Sequence, residues 1–192
     1  MSGFRVRFSF LLLVACAVLV ALPAPDARAQ NRLAVEVGPL FPLGNFSDSH
    51  ETSLYVGARF EFQSVNALGG VALLSYTLHG GFAVLSIDSA LESSLDQLGE
   101  STSSSLVNAG AGIRAYSQAS PLFFTLGADY VNLNPPGDAD SENGFDAALG
   151  IGVVRDLTAI VAELEFKGHA AFFSGVDNLQ YLTLQVNVGI PF

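Results

Sequence analysis

The last twelve residues, YLTLQVNVGIPF, alternate without a break between apolar side chains and side chains that are polar or small. The apolar positions are Leu182, Leu184, Val186, Val188, Ile190 and Phe192. A period of two residues is typical of a β-strand whose two faces meet different surroundings, one apolar and one polar. The printed sequence therefore ends inside a predicted strand.

The same alternation recurs in seven earlier segments, which makes eight predicted strands in all. The seven segments are RLAVEVGPLF, SLYVGARFEF, LGGVALLSYTL, SLVNAGAGIRAYS, PLFFTLGADYVN, GFDAALGIGV and TAIVAELEFKGH. In each predicted strand the apolar face carries no Asp, Glu, Lys or Arg, whereas nearly every opposite face carries a charged residue. This contrast predicts that one face of each strand lies against hydrocarbon.

The connections between the predicted strands alternate in length. Short turns are expected at residues 64–67, 118–120 and 155–157, and long loops at about 43–52, 79–102, 133–143 and 170–179. An even number of strands with short turns at one end and long loops at the other is the layout of a bacterial outer-membrane barrel. We therefore predict an all-β fold, an eight-stranded antiparallel up-and-down transmembrane β-barrel. A soluble β-sandwich is the alternative, because its strands alternate too.

Aromatic residues on the apolar faces fall near the predicted strand ends. We expect one group near the rim with the long loops, namely Phe41, Tyr76, Tyr130 and Phe145. A second group is expected near the opposite rim, namely Phe60, Phe62, Phe124 and Phe192. Two such girdles flank the apolar band of outer-membrane barrels.

The N-terminal segment has the layout of a cleaved signal peptide. Two arginines precede an apolar run over residues 8–22, and the ARA sequence that ends at Ala29 offers a small-x-small cleavage site. The apolar run is short for a transmembrane helix. We therefore predict a signal peptide at residues 1–29 and one exported barrel domain at residues 30–192. Lipidation at Cys16, within the LVAC sequence, is the open alternative to cleavage after Ala29.

Composition limits the partners that the chain can bind. The formal net charge is −10, from 18 acidic and 8 basic residues, and loss of the signal peptide makes the remainder more acidic. Because no basic patch is available, nucleic acid is not an expected partner. Cys16 is the only cysteine, so the processed domain has no disulfide and no thiolate metal site.

Residues 31–192 resemble the small eight-stranded outer-membrane barrels, OmpX- and OmpA-like, of the outer membrane protein beta-barrel domain family. The resemblance rests on VGPLFPLGNFSD, LLSYTLHGG, NAGAGIRAYS and the terminal VGIPF. It implies a place in the cell outer membrane of a Gram-negative bacterium, in contact with outer-membrane lipid and lipopolysaccharide, and it implies no cofactor. It also implies that Phe192, a C-terminal aromatic on an alternating strand, is the signal read by the outer-membrane assembly machinery.

The polar faces of the strands place one charged group inside the predicted barrel. Its members are Glu36, Arg59, Glu61, Arg114, Asp129, Asp146, Glu163, Glu165 and Lys167. An eight-stranded barrel has an interior just wide enough for side chains to fill, so we interpret this group as a structural ion-pair network. The acids outnumber the bases by three, which leaves one or more carboxyl groups protonated or open to water. No catalytic, cofactor-binding or metal-binding residue is predicted.

Some barrels of this size resemble enzymes that trim or transfer the acyl chains of lipid A. The histidines are the residues that we consider as candidates for such a site. A His-x-Ser pair with an acid nearby is the pattern of the deacylases, but His169 is followed by AAFFS and Ser174 is five residues on. His50 and His79 are expected at loop bases without a suitably spaced serine. A non-enzymatic structural or surface-interaction role is therefore predicted. A lipid A-modifying enzyme and a small solute or ion pore are the alternatives.

The long loops are acidic and contain no Lys or Arg. Their acids are Asp48, Glu51, Asp88, Glu92, Asp96, Glu100, Asp138, Asp140, Glu142 and Asp177. These loops are the expected surface for an extracellular ligand. The segment PPGDADSENG faintly resembles the start of a calcium loop, but it lacks the distal bidentate Glu and is interpreted as a solvated acidic turn.

The second long loop has apolar residues at helical spacing. They are Ile87, Leu91, Leu95 and Leu98. Ser86 or Asp88 is a suitable N-terminal cap, and Gly99 is a suitable stop. We therefore predict a short helix that lies over the rim of the barrel.

Overall fold

The computed structural model describes residues 31–67, 72–137, 139–175 and 177–192. Eight strands follow in chain order: β1 (Arg32–Leu43), β2 (Ser53–Ala67), β3 (Ala72–Leu85), β4 (Ser104–Ser117), β5 (Leu122–Asn134), β6 (Glu142–Asp156), β7 (Val161–Phe173) and β8 (Leu179–Pro191). A 3₁₀ helix (Gly44–Asp48) follows β1, and one α-helix, α1 (Ser89–Leu98), lies between β3 and β4. The predicted signal peptide, with Cys16 and the Ala29 cleavage site, lies outside the described residues.

The strands form a closed barrel in sequence order, and β1 pairs with β8 to complete it. Every neighbouring pair is antiparallel, from Val37 opposite Val56 on β1 and β2 to Val37 opposite Val186 on the closing pair. The predicted eight-stranded antiparallel barrel is therefore confirmed. A closed barrel has no free sheet edge, so each strand can bury one face inside and present the other outside.

The two faces of the barrel differ as the alternation requires. Large apolar side chains are exposed on the outside, including Leu126 at 60% and Leu149 at 68%, while their polar neighbours turn inward. Thr125 between Phe124 and Leu126 is 5% exposed, and so lies inside. The uncharged face of the predicted strands is thus the outer surface of the barrel.

Several connections are shorter than the sequence predicted. The first seven residues of the predicted loop 79–102 form the upper part of β3, which stays paired with β4 from His79 opposite Gly110 to Leu85 opposite Ser104. The sequence HGGF reads as a loop because glycine is depleted in strands, but pairing with two neighbours overrides that weak preference. The long connections are residues 44–52, 86–103, 135–141 and 174–178.

The short connections also differ in part. The turn at 118–120 is confirmed within the connection 118–121, whereas residues 64–67, predicted as a turn, continue β2. The segment that links β2 to β3, residues 68–71, lies outside the described residues. β6 runs on to Asp156, so that Arg155 is a buried strand residue and the turn lies at 157–160.

The predicted aromatic girdles need one correction. Tyr76 is paired with Phe62 and lies four residues into β3, at the end with the short connections. It therefore belongs with Phe60 and Phe62, and not with the upper group to which the sequence assigned it. The error follows from ending β3 at Leu78, because that placed Tyr76 next to a long loop.

The predicted helix in the second long connection is confirmed as α1. The Asp88 carboxylate accepts a hydrogen bond from the backbone N–H of Ala90 at 2.8 Å, and Gly99 ends the helix in the left-handed region. Leu95 is buried beneath the helix, while Leu98 is exposed. Ile87 precedes the helix and instead forms a β-bridge with His50. Among the described residues, no helix is long and apolar enough to cross a membrane.

Candidate functional site in the barrel interior

The structure places all nine of the predicted charged residues inside the barrel. None is more than 6% exposed, although they come from six different strands. Alternation explains this placement, because each lies at an inward position of its strand. They divide into two tiers, a lower tier toward the short connections and an upper tier toward the long ones.

Glu163 on β7 is the centre of the lower tier. It accepts hydrogen bonds from Arg114 at 2.7 Å and from Arg32 at 3.1 Å, and a third from Arg59. All four side chains are at most 4% exposed. A carboxylate with three guanidinium partners is well compensated for its removal from water, as a buried charge must be.

The remaining lower-tier acids are held by the same cations and by Lys167. Arg59 also bonds Glu36, and Arg114 also bonds Glu165. The Lys167 ammonium lies 3.8 Å from Glu36 and 3.6 Å from Glu165. Because Arg59, Arg114 and Lys167 each contact more than one acid, the lower tier is one connected network and not a set of separate pairs.

Glu61 completes the lower tier with help from neutral donors. Ser75 donates to Glu61 at 2.6 Å and Tyr116 donates to it at 3.0 Å, while Arg114 lies 3.8 Å away. The tier therefore contains four glutamates and four cations, because Arg32 joins the three predicted ones. The sequence interpretation missed Arg32, although its even number places it on the same face as Glu36.

Asp129 and Asp146 form the upper tier and are not bound to arginine or lysine in the described contacts. They lie opposite each other on β5 and β6, and each contacts a histidine. His79 Nε2 lies 2.6 Å from Asp129, and His169 Nδ1 lies 2.7 Å from Asp146. His79 is thus an interior residue of β3, and its predicted place at a loop base is wrong.

Neutral side chains complete the upper tier. Asn108 donates to Asp129 at 2.8 Å, and Tyr181 donates to Asp146 at 3.0 Å. The rings of His169 and Tyr181 are stacked, with centroids 4.4 Å apart and planes 6° from parallel. Asp129 and Asp146 are therefore each matched with a histidine and an uncharged donor.

Close packing in this tier depends on glycine. A Cβ atom on Gly81 would overlap the ring of Tyr55, and one on Gly110 would overlap the carboxylate of Asp129. Both glycines leave space into which a large or charged inward side chain from another strand extends. The interior is therefore filled by side chains that reach over glycines, as expected for a barrel of this size.

An apolar layer closes the interior above the upper tier. Its buried members are Leu40, Phe46, Tyr55, Ala83, Leu85, Leu106, Val131, Leu133, Ala171, Leu179 and Tyr181. Phe46 comes from the 3₁₀ helix after β1 and packs edge-on against Tyr181, with ring centroids 6.4 Å apart. The interior is therefore apolar at this level, whereas both tiers below it contain buried charged groups.

The deacylase pattern, which the sequence lacks, is not formed in space by His169 and Ser174 either. His169 Nε2 lies 3.3 Å from Thr183, and Ser174 is outside the barrel wall in the last connection. His50 is 2.8 Å from Ser49 and 3.1 Å from Ser104, but Ser104 is only 1% exposed and its hydroxyl also donates to the Asn134 carbonyl. Ser104, buried in this way, cannot reach a substrate without rearrangement. Ser49 is half-buried, but the described contacts of the His50 ring include no acid that would orient it as a base. Within the described part of the chain, no group of three or more His, Cys, Asp or Glu is arranged to hold a metal ion.

His50 joins two of the long connections. Its backbone bridges to Ile87, its ring packs on Phe46 with centroids 4.6 Å apart, and its side chain bonds Ser104 at the start of β4. Burial lowers the pKa of His50 below its ordinary value, although a hydrogen bond to the Phe46 carbonyl opposes this shift in part. The neutral ring therefore holds the first two long connections together over the barrel mouth.

The acidic surface lies on these connections. Asp48, Glu51, Glu92, Asp96 and Asp140 are exposed. Asp138, a member of the predicted acidic turn, lies outside the described residues. Phe192 lies at the opposite end, where it is 65% exposed and its ring centroid is 5.5 Å from that of Phe60.

A closed eight-stranded antiparallel barrel with a filled polar interior and an apolar outer face defines a class, the small barrels of outer-membrane type. Neisserial surface protein A (NspA) has this fold and is similar at a TM-score of 0.57 and 12% identity, over 84% of this chain and 97% of that one. Ail, the attachment invasion locus protein of Yersinia pestis, is similar at a TM-score of 0.48 and 12% identity, over 86% of this chain and 99% of that one.

A major outer membrane protein from Thermus thermophilus is similar at a TM-score of 0.47 and 14% identity, over 84% of this chain and 99% of that one. No protein-family model and no curated protein sequence matches the chain. At these identities the likeness to NspA shows the fold alone, which is that of a small eight-stranded outer-membrane barrel.

Proposed function

We propose that this protein is a non-enzymatic barrel of the Gram-negative outer membrane that presents acidic loops at the cell surface. The observation that carries the proposal is the contrast between its two faces. The interior is filled by an ion-pair and hydrogen-bond network beneath an apolar layer, while the outer face of the strands exposes only apolar or small residues around its middle. Such an outer face is stable in hydrocarbon, where one outward Arg or Lys costs about 2–4 kcal/mol at mid-membrane.

The sequence supports the route to that membrane. The predicted signal peptide at residues 1–29 would deliver the chain across the inner membrane, and Phe192 would mark the last strand for the assembly machinery. Outer-membrane lipid and lipopolysaccharide would then surround the apolar band. The long connections, which contain no Lys or Arg, would face the outside and meet a ligand of the cell surface or its surroundings.

A role in the loops, and not in the lumen, follows from the packing. Phe46 and Tyr181 belong to the buried apolar layer, and His79 and His169 contact the buried carboxylates of Asp129 and Asp146. A pore would need a polar open path, and a hydrolase would need a reachable nucleophile next to its base. The geometry favours neither alternative.

A gel-mobility experiment with matched variants tests the membrane-spanning part of this proposal. The outer-membrane fraction should contain a compact form in SDS that changes mobility only on heating. Leu126→Arg, on the outer face of β5, should abolish or strongly reduce this form, whereas Gln180→Arg, at the exposed upper end of β8, should retain it. Equal folding of both variants into the membrane would contradict the proposed lipid contact.

Two further measurements test the non-enzymatic, non-conducting role. Mass spectrometry of lipid A from deletion and overexpressing cells should show the same acyl pattern. Purified protein in planar bilayers should show no steady conductance. A changed acyl pattern would indicate the lipid A-modifying alternative, and a reproducible conductance would indicate the pore.

A further inference from the structure

The closing pair of the barrel has a gap in its pairing. β1 and β8 are paired on both sides of the gap, at Val37 opposite Val186 and at Leu40 opposite Thr183. Gly38 and Pro39, between these positions, have no paired partner on β8. Both residues are nevertheless paired with β2, opposite Tyr55 and Leu54. The irregularity is therefore confined to the β8-facing side of β1.

The two residues explain the gap. Proline has no backbone N–H and cannot donate to a ladder, so it is found on edge strands and at bulges. Because the β2 ladder runs through Pro39 unbroken, the missing donor is on the side that faces β8. A Cβ atom at Gly38 would overlap the backbone carbonyl of Leu184, which shows how closely β8 approaches there. Only glycine fits this approach without a shift of one strand.

A proline in this place is unfavourable in the finished barrel but useful before closure. Until β8 pairs with it, β1 is an edge strand with a row of open backbone groups, and such an edge is a template for pairing with another chain. Its outward face is also apolar, with Leu33, Val35 and Val37 exposed even in the folded barrel. An unprotected edge of this kind is prone to association between copies.

We infer that Gly38 and Pro39 guard the β8-facing edge of β1 during assembly against pairing with strands other than β8, above all with β1 of a second copy of this chain. The irregular edge interrupts any long ladder with a foreign strand. The β8 of the same chain tolerates the interruption, because the remaining pairs on both sides of the gap hold it in register. The guard thus disfavours ladders between β1 edges of different copies, while pairing with β8 keeps its register.

Pro42 supplies a matched control on the same strand. It is paired with Tyr181 on β8, and it lies beyond the last β1–β2 pair, Leu40 opposite Ser53. Replacing Pro42 therefore removes a proline from β1 without filling the gap. Pro39→Thr and Pro39→Ala both restore an N–H at the gap, with and without a β-branched side chain.

The experiment is refolding of the purified barrel from urea into detergent micelles over a series of protein concentrations. Unheated SDS gels then separate compact monomer from oligomers. Pro39→Thr and Pro39→Ala should raise the oligomer fraction severalfold at high concentration, while Pro42→Thr should match the wild type. The folded monomers of the Pro39 variants should unfold at the same urea concentration as the wild type or at a higher one.

Three results would overturn the inference. The first is an unchanged oligomer fraction in both Pro39 variants. The second is an equal rise in Pro42→Thr, which would make the effect a general consequence of losing a proline. The third is failure of both Pro39 variants to give compact monomer even at the lowest concentration, which would make Pro39 a requirement of the native barrel itself.

Discussion

Arg114 on β4 donates from Nη1 to Glu163 on β7 at 2.7 Å, and this bond crosses the interior of the barrel. The two strands are not neighbours in the sheet, so the bond is not part of any ladder. Arg32 on β1 and Arg59 on β2 reach the same carboxylate. Glu163 therefore ties three separate strands to β7 through one side chain.

Replacing this carboxylate should be costly. Glu163→Gln would leave three guanidinium groups facing an uncharged amide, and removing one member of a buried ion-pair network typically costs about 3–5 kcal/mol. The free energy of unfolding, measured by urea titration of the folded barrel in lipid vesicles, should fall by this order. Glu92→Gln, an exposed substitution on α1, should stay within about 0.5 kcal/mol of the wild type. Equal stability of the two variants would contradict the central role of Glu163.

Gly81→Ala tests the packing of aromatic side chains over glycine. The added methyl group would overlap the Tyr55 ring, and overpacking of this kind costs about 1–3 kcal/mol. Gly168→Ala is the control, because the atom nearest to a Cβ there is Leu182 Cδ2 at 3.6 Å, an ordinary contact. The control should be neutral or slightly stabilising, since alanine restricts the unfolded chain. Urea titration should separate the two variants, and a neutral Gly81→Ala would show that Tyr55 is free to move.

His50 should make stability depend on pH. Burial lowers the pKa of His50 below its ordinary value of 6.5, so the folded protein favours the neutral ring. As the pH falls through 6.5, the unfolded chain binds a proton that the folded protein resists, and the free energy of unfolding falls. The contribution is therefore present above the unfolded pKa and is lost toward the lower folded pKa.

The comparison between wild type and His50→Gln isolates this effect from other titrating groups. The wild type should lose more stability than the variant between a pH well above 6.5 and one well below it. Protease sensitivity of the loops should rise in parallel, since His50 links two of them. The same pH slope in both proteins would mean that His50 does not hold the loops through its neutral form.

The cap of α1 should act locally. Asp88→Ala removes the carboxylate that accepts from the Ala90 N–H, and loss of such a cap costs about 1 kcal/mol. Proteolysis within residues 89–98 should speed up while the urea midpoint of the barrel stays unchanged. Ser93→Ala, on an exposed face of the helix, is the control. A large drop in barrel stability would show that α1 supports the barrel as well as the loop.

The barrel could be predicted from sequence because apolar and polar side chains alternate along each strand. This alternation indicates which face of the strand lies outside and which lies inside. For example, the apolar Phe124 and Leu126 lie outside, and the polar Thr125 between them lies inside. The prediction failed where alternation was interrupted, at His79-Gly80-Gly81, because glycine carries no information about a face. Gly81 makes room for the Tyr55 ring, a reason that appears only when the strands are assembled.

The nine charged residues named from the sequence are buried in the barrel, but the sequence did not show which of them contact one another, and it missed Arg32. The alternation along each strand placed Glu163 and Arg114 on inward faces, but it could not show that the two side chains meet across the barrel. Partners on strands that are not adjacent depend on the stagger and tilt of the whole barrel, which no local pattern records. The same limit explains why His79 was not connected with Asp129, since they are 50 residues apart in the chain.

Surface labelling of single cysteines in intact cells tests the central claim most directly, because the processed chain would have no cysteine of its own. The two variants are Asp96→Cys and Ala119→Cys. Asp96 is exposed on α1, and Ala119 is exposed on the short connection between β4 and β5. A membrane-impermeant maleimide should label Asp96→Cys in intact cells, and Ala119→Cys only after the outer membrane is permeabilised. Labelling of Ala119→Cys in intact cells, or of neither site until permeabilisation, would contradict a barrel that spans the outer membrane with its acidic loops outside.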